Sequence, residues 1–285
     1  MTRASQVETW WRDNPMTYAA EHGRTVYDDA AYQMGSKEFF DRLDREFYSW
    51  NRPLHGSRPF DRLFPYEDYR GKSVLEIGCG LGTLAMHWAQ NGAKVTAVDL
   101  NPTSITQTRK RFELMGLEGT IEAMDARKLI FADRSFDYVY SWGVLHHSPD
   151  LEQSLNEMMR VLRRGGGFGV MLYNRRSFLH WYKTLWIEGL LHYESRFLNP
   201  LQLASRYGDG ARAEGNPHTW PVTKSELRKM LGPHSSDLRI KTLGTDLDTI
   251  FHSLLPGLGL VLPSWAKKPW ARRFGWSLWA CGHNN

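Results

Sequence analysis

Residues 73–85 read SVLEIGCGLGTLA, and they hold the first residues able to do chemistry. Gly78, Gly80 and Gly82 follow an apolar run at alternate positions, and Glu76 stands two residues ahead of them. A turn of this kind brings bare backbone close to a ligand. A phosphate-cradling loop would close on Gly-Lys-Ser/Thr, whereas here the chain reads Gly82-Thr83-Leu84. A dinucleotide fingerprint would need glycine where Thr83 stands. Glu76 would also repel a pyrophosphate and attract a ligand carrying an ammonium and a sulfonium. Two further carboxylates, Asp99 and Asp125, close two later apolar runs. Asp99 is positioned to accept hydrogen bonds from both hydroxyls of a ribose, charge-assisted bonds worth roughly 1.5–3 kcal/mol each. Asp125 is positioned to accept from the exocyclic amine of an adenine. The three acids outline a ribose, an adenine and a cationic tail.

The elements that must carry these acids alternate. KSVLEI, KVTAVD, GTIEAMD, FDYVYSW and FGVMLYN read as five strands, and helical patterns separate them. A helix over TLAMHWAQN stops at Gly92, one begins near Pro102 with Ile105 and Phe112, and another runs from about Pro149 to Leu162. Apolar strands alternating with helices predict an α/β fold with a parallel sheet covered on both faces. Before this core, residues 1–70 read as helical. Phe39, Phe40, Leu43, Phe47 and Trp50 share one face after Ser36, a plausible N-cap. After the core (71–174), residues 175–235 read as an aromatic-rich helical insertion. Residues 236–285 hold two closing strands, LRIKTLG and GWSLWACGH, around an apolar and basic stretch.

Composition sets the frame. A chain of 285 residues can bury one full core with accessories, and a net charge of +5 is too mild to imply nucleic acid. Its two cysteines, Cys79 and Cys281, offer no disulfide framework, so a reducing cytoplasmic setting is expected. MTRASQVETWWRDNP lacks the apolar core of a signal peptide. The longest apolar stretch, Ile250 to Trp265, is broken by Pro256, Gly257, Gly259 and Pro263 and does not read as a membrane span.

Five motifs in order, VLEIGCGLGT, VTAVDLNP, EAMDARKL, FDYVYSWGVLHHSPD and VLRRGGGFGVMLYN, resemble the class I S-adenosylmethionine-dependent methyltransferases. The nearest branch is the ubiquinone/menaquinone-type small-molecule enzymes, and the likeness covers about Lys72 to Asn174. It implies a Rossmann-like, seven-stranded, mostly parallel sheet with helices on both faces and an antiparallel last strand. It also implies an N-terminal helical lid and a helical insertion after strand five. The implied cofactor is S-adenosylmethionine, with S-adenosylhomocysteine as product. In that likeness Glu76, Gly78, Gly80 and Gly82 meet the methionine part. Asp99 takes the ribose, Leu100 lies beside the adenine, and Asp125 with Ala126 reaches the adenine amine. Trp142, Gly143 and Val144 line the pocket.

Methyl transfer needs an aimed nucleophile, exclusion of water and often a base. His146 and His147 sit where the chain leaves the fourth strand, and an imidazole with pKa near about 6.5 suits a base. Tyr173 and Arg175 follow the fifth strand as acceptor-side candidates, Arg175 for an anionic group. Tyr18 and Tyr27 are lid candidates by position alone. Adjacent histidines point apart and no acidic or cysteine cluster joins them, so no metal is expected. The expected acceptor is a small molecule with apolar or ring character. The rivals are an RNA or protein methyltransferase and a non-catalytic cofactor-binding subunit. SWGVLHH lacks the Pro-Pro-aromatic clamp of nucleic-acid amine methyltransferases, so no nucleic acid is expected, and nothing requires an oligomer. At the C-terminal end Trp265, Trp270 and Trp276 interleave with Lys267, Lys268, Arg272 and Arg273, a pattern suited to peripheral membrane contact or a greasy entrance.

Overall fold

The computed structural model describes residues 2–14, 33–207, 215–244 and 264–285. Its strands are β1 (Ser73–Ile77), β2 (Lys94–Asp99), β3 (Thr120–Ala123), β4 (Phe136–Trp142), β5 (Leu162–Tyr173), β6 (Arg239–Leu243) and β7 (Ser277–His283). They form one seven-stranded sheet in the order β3-β2-β1-β4-β5-β7-β6. β7 runs antiparallel to both β5 and β6, and the other neighbours pair in parallel. The strand order reverses between β1 and β4, which opens a crevice beyond their carboxyl ends.

Period-two alternation divides the core. In β4, Tyr138, Tyr140 and Trp142 face one side of the sheet and Val139 the other. The aliphatic side is covered by α5 (Leu151–Val161) and α7 (Lys224–Leu231), through residues such as Leu155, Met158 and Leu227. The other side is aromatic. Trp88, from α3 (Ala85–Gln90), is fully buried, with ring centroids of Tyr66, Tyr138 and Tyr140 at 4.7, 4.9 and 5.6 Å. Such rings bury large areas in offset and edge-to-face contacts. β5 leaves room for them with glycine: a Cβ at Gly167 would meet the Tyr69 hydroxyl at 2.2 Å, and one at Gly169 the Trp279 ring at 2.2 Å.

Of the segment expected as a lid, residues 37–69 supply part of this core. α2 (Lys37–Trp50) starts where the sequence places it, with Ser36 Oγ accepting from the Phe39 N–H at 3.1 Å. Its face carries Phe39, Phe40, Leu43 and Phe47 into the interior. Trp50 departs from that expectation: it is 53% exposed, because it ends the helix one step before the Asn51 cap. Arg111 of α4 (Pro102–Leu114) ties α2 down, pairing with Asp44 at 2.8 Å and lying 4.4 Å over the Phe40 ring. Ahead of α2 lies α1 (Arg3–Asp13). The insertion after β5 holds a π-helical segment (His180–Leu191) and α6 (Pro200–Tyr207), and α8 (Ser264–Phe274) precedes β7. Residues 250–263 of the C-terminal stretch lie outside the described residues. Of its tryptophans, Trp276 stacks on Tyr173 and Trp279 is core.

Burial pushes the His87 imidazole down to about 4, in contact with the Tyr48 hydroxyl at 2.6 Å. The unfolded chain binds that proton near pH 6.5, so stability falls as the pH drops from about 6.5 towards 4. His87→Gln should make the fall in melting temperature over that range shallower; an unchanged slope would place the loss on other groups. Gly169→Ala should cost about 1–3 kcal/mol in urea unfolding through its clash with Trp279. Gly232→Ala, with negative φ and nothing within 4 Å of the added Cβ, should be close to neutral.

Candidate active site

The crevice is organised by Asp99 at the end of β2. Its Oδ2 accepts from the Gly80 N–H and its Oδ1 from the Asn101 N–H, both at 2.8 Å. Two backbone donors orient the carboxylate and leave acceptor sites for a diol. Burial raises its pKa, opposed by the Asn101, Gly80 and Leu100 N–H groups. The loop it holds needs its glycines. Gly78, Gly80 and Gly82 have φ of +81°, +52° and +76°. A Cβ at Gly78 would strike Val144 at 2.4 Å, whereas one at Gly80 would meet nothing within 4 Å, so the backbone there is open.

Glu76 lies 2% exposed on the cleft wall, and its Oε2 has no hydrogen-bond partner. Burial, reinforced by the Asp99 charge, pushes its carboxyl well above the usual range. A buried acceptor without a donor is costly, and a ligand ammonium would relieve it. The cleft encloses about 1430 Å³ of empty space with its open mouth included.

The nucleoside side is walled by Leu100, Met124, Asp125 and Ala126. Asp125 already has a partner, because the Arg127 guanidinium grips it through Nε and Nη2 at 3.0 and 2.5 Å. Burial raises that carboxyl, but the Arg127 side-chain and backbone donors outweigh it and hold its pKa low. Asp125 thus meets an adenine amine only with what Arg127 leaves of its lone pairs. Trp142, Gly143 and Val144 line the cleft as expected.

On the acceptor side the two histidines part. His147 lines the cleft, and its Nδ1 lies 3.2 Å from both the His218 carbonyl and Thr219 Oγ1. Thr219 donates its hydroxyl to Asn216 Oδ1 at 2.9 Å and therefore accepts from the imidazole. Both contacts take an Nδ1–H, which makes Nε2 the basic nitrogen. His146, named with His147 as a candidate base, lies elsewhere: it is fully buried off the cleft, with neither ring nitrogen hydrogen-bonded. Burial, then the neighbouring His147 and His218, keeps it neutral, and it packs on Tyr173 with ring centroids 3.9 Å apart. Tyr173 lines the cleft as expected. Arg175 does not; it is held by Glu226 Oε1 and the Pro221 carbonyl, both at 2.9 Å, so its charge serves the insertion. Tyr18 and Tyr27 lie outside the described residues.

Several lining residues escaped the sequence reading. Leu43 and Phe47 enter from α2, Trp11 from α1, and Asn101, Arg127 and Met171 from strand ends and turns. The helical periodicity of Phe47 was visible, but not that its face meets the glycine loop. Trp11 stands 4.9 Å from the His147 ring, and Asn101 Nδ2 donates to the Trp11 carbonyl. The ready signal was Asn101 itself, an N-cap whose Oδ1 accepts from Thr103 and Ser104 while its amide nitrogen reaches elsewhere.

Asp99→Ala should weaken S-adenosylhomocysteine by at least about tenfold in calorimetry, the loss of one charge-assisted bond or more. Wild-type affinity should fall as pH falls, because the ligand ammonium favours ionised Glu76 over its protonated form. Glu76→Gln should bind more weakly and flatten that pH dependence; a parallel slope in the variant would remove Glu76 from the ammonium site.

Comparison with known proteins agrees with this geometry. The methyltransferase-domain family matches residues 74–166, which include Glu76, the glycine loop, Asp99, Asp125 and His147. Methyltransferase GfsG of Streptomyces halstedii is 33% identical over 138 residues, 47% of this chain and 50% of that protein. A fatty-acid O-methyltransferase of Mycolicibacterium smegmatis is 41% identical over 103 residues, 35% of this chain and 37% of that protein. The matches thus span half or less of these relatives' length. A solved SAM-dependent methyltransferase from Methanosarcina mazei shares the fold with a TM-score of 0.52 at 21% identity, covering 78% of this chain and 99% of that one. With the sheet order, the glycine loop and the three acids in place, residues 74–166 form a methyltransferase domain of the class I S-adenosylmethionine-dependent type.

Proposed function

We propose that the protein transfers a methyl group from S-adenosylmethionine to a small-molecule acceptor of apolar or ring character. The observation that carries the cofactor half is the unpartnered Glu76 Oε2, buried two residues ahead of a glycine loop whose middle backbone is open. Glu76 would hold the ammonium, Asp99 the ribose, and Leu100, Met124 and Ala126 the adenine. When bound, the cofactor supplies an electrophilic methyl group on a sulfonium.

The acceptor half rests on the aromatic residues of the cleft. Trp11, Phe47, Trp142 and Tyr173 give it a lining suited to an apolar or ring-bearing molecule and to keeping water out. The fatty-acid O-methyltransferase relative supports such an acceptor class, while the narrower ubiquinone/menaquinone branch rests on motif resemblance alone. His147 takes the proton released by the acceptor, at Nε2. Thr219 and the His218 carbonyl hold its ring in that tautomer. α1 forms the lid, and residues 175–235 cover the acceptor side.

The test is label transfer. The protein is incubated with methyl-labelled cofactor and cell extract, and lipids, polar metabolites, RNA and protein are separated. Label should enter the lipid or metabolite fraction, and His147→Ala should reduce it by about 10²–10⁴-fold with S-adenosylhomocysteine affinity retained. Label in RNA or protein would overturn the acceptor class. Full transfer by His147→Ala would remove the histidine base and leave the rest standing.

A further inference from the structure

The insertion after β5 carries a surface that methyl transfer does not explain. Twelve large hydrophobic side chains are exposed among the described residues, and half of them fall within seventeen positions. They are Trp181, Trp186, Leu190, Leu191, Tyr193 and Phe197, the last 84% exposed. The π-helical segment packs inward as well. His180, Thr184 and Gly189 are buried, and a Cβ at Gly189 would lie 3.2 Å from Leu203 of α6. A helix apolar on all sides is normally enclosed, whereas the outward half of this one faces solvent.

The charges around it are mixed, with Lys183, Arg196 and Arg206 against Glu188 and Glu194. Glu188 lies 2.9 Å from the His192 imidazole, and Glu194 pairs with Arg206 at 3.7 Å. Lys183 and Arg196 are exposed and pair with no carboxylate among the described residues. Arg196 instead lies 5.1 Å over the Tyr193 ring. Two tryptophans stacked at 6.3 Å, two leucines, a tyrosine and a phenylalanine, rimmed by two cations that have no carboxylate partner among the described residues, match the make-up of an interfacial patch. A symmetric contact between two copies would bring the same cations to one interface.

We propose that the exposed face of residues 181–197 docks on the surface of an anionic lipid bilayer. No helix among the described residues is long and apolar enough to cross a membrane, so the contact is peripheral. The aromatic and leucine side chains enter the headgroup boundary, and Lys183 and Arg196 meet anionic headgroups. The patch lies upstream of the C-terminal tryptophans that the sequence singled out, and it goes beyond the proposed activity.

The full chain should pellet with vesicles of phosphatidylcholine mixed equally with phosphatidylglycerol, and far less with phosphatidylcholine alone or at high salt. Phe197→Asp, and separately Trp181→Ala with Trp186→Ala, should reduce partitioning by at least about tenfold and leave S-adenosylhomocysteine binding unchanged. Lys183→Glu with Arg196→Glu should abolish the preference for anionic vesicles. Failure to pellet with either vesicle, or equal pelleting of the apolar variants, would overturn the proposal. So would light scattering showing a dimer that Phe197→Asp dissolves, because the face would then join two copies of the chain.

Discussion

The cleft depends on one carboxylate being held in place before any ligand arrives. Asp99 accepts from Gly80 on the glycine loop and from Asn101 at the start of α4. The ends of β1 and β2 are thereby fixed to each other, since the Gly78 and Cys79 N–H groups also donate to the Val98 carbonyl at 2.7 and 3.0 Å. Asn101 extends the arrangement outward. Its side chain caps α4 on one atom and holds the Trp11 carbonyl of α1 on another. Orientation of the carboxylate, the course of the glycine loop and the position of α1 therefore follow from the surroundings of one acid. Preorganisation of this kind spares the bound state the cost of ordering those groups.

Holding such a cleft open requires a stiff sheet beneath it, and the two faces provide this differently. The aliphatic face is packed by helices that follow the strands in the chain. The aromatic face is packed partly by residues 37–69, which come from outside the alternating unit and bring Phe47, Phe60, Phe64, Tyr66 and Tyr69 with them. Gly167 and Gly169 are the counterpart of those rings, since any side chain there would occupy their volume. The same aromatic layer continues to the cleft through Trp142, whose ring centroid lies 4.9 Å from that of Phe60. The cofactor wall is thus an extension of the core.

The sequence reading was strongest where chemistry is local. All seven strands, the Ser36 cap, the glycine loop and the cleft positions of Glu76 and Asp99 were legible, because each is set by period, turn chemistry or a strand end. Contacts between distant segments were not. The partition of His146 from His147 depends on Tyr173 and Thr219, which follow by 27 and 72 positions. Arg175 was drawn away by Glu226, 51 residues on, a pairing no spacing rule announces. Residues 1–70 read as a cover because helical periodicity shows that a face is apolar without showing what lies against it.

Asn101 has a consequence for how the protein would respond to its ligands. One side chain joins the anchor of α1 to the surroundings of Asp99. A ligand that steadied Asp99 and Asn101 would also steady α1, and an α1 held in place would in turn favour that ligand by the same factor. Cofactor occupancy and access to the acceptor chamber would then be reciprocal quantities. That coupling would run through a single amide that caps one helix and tethers another.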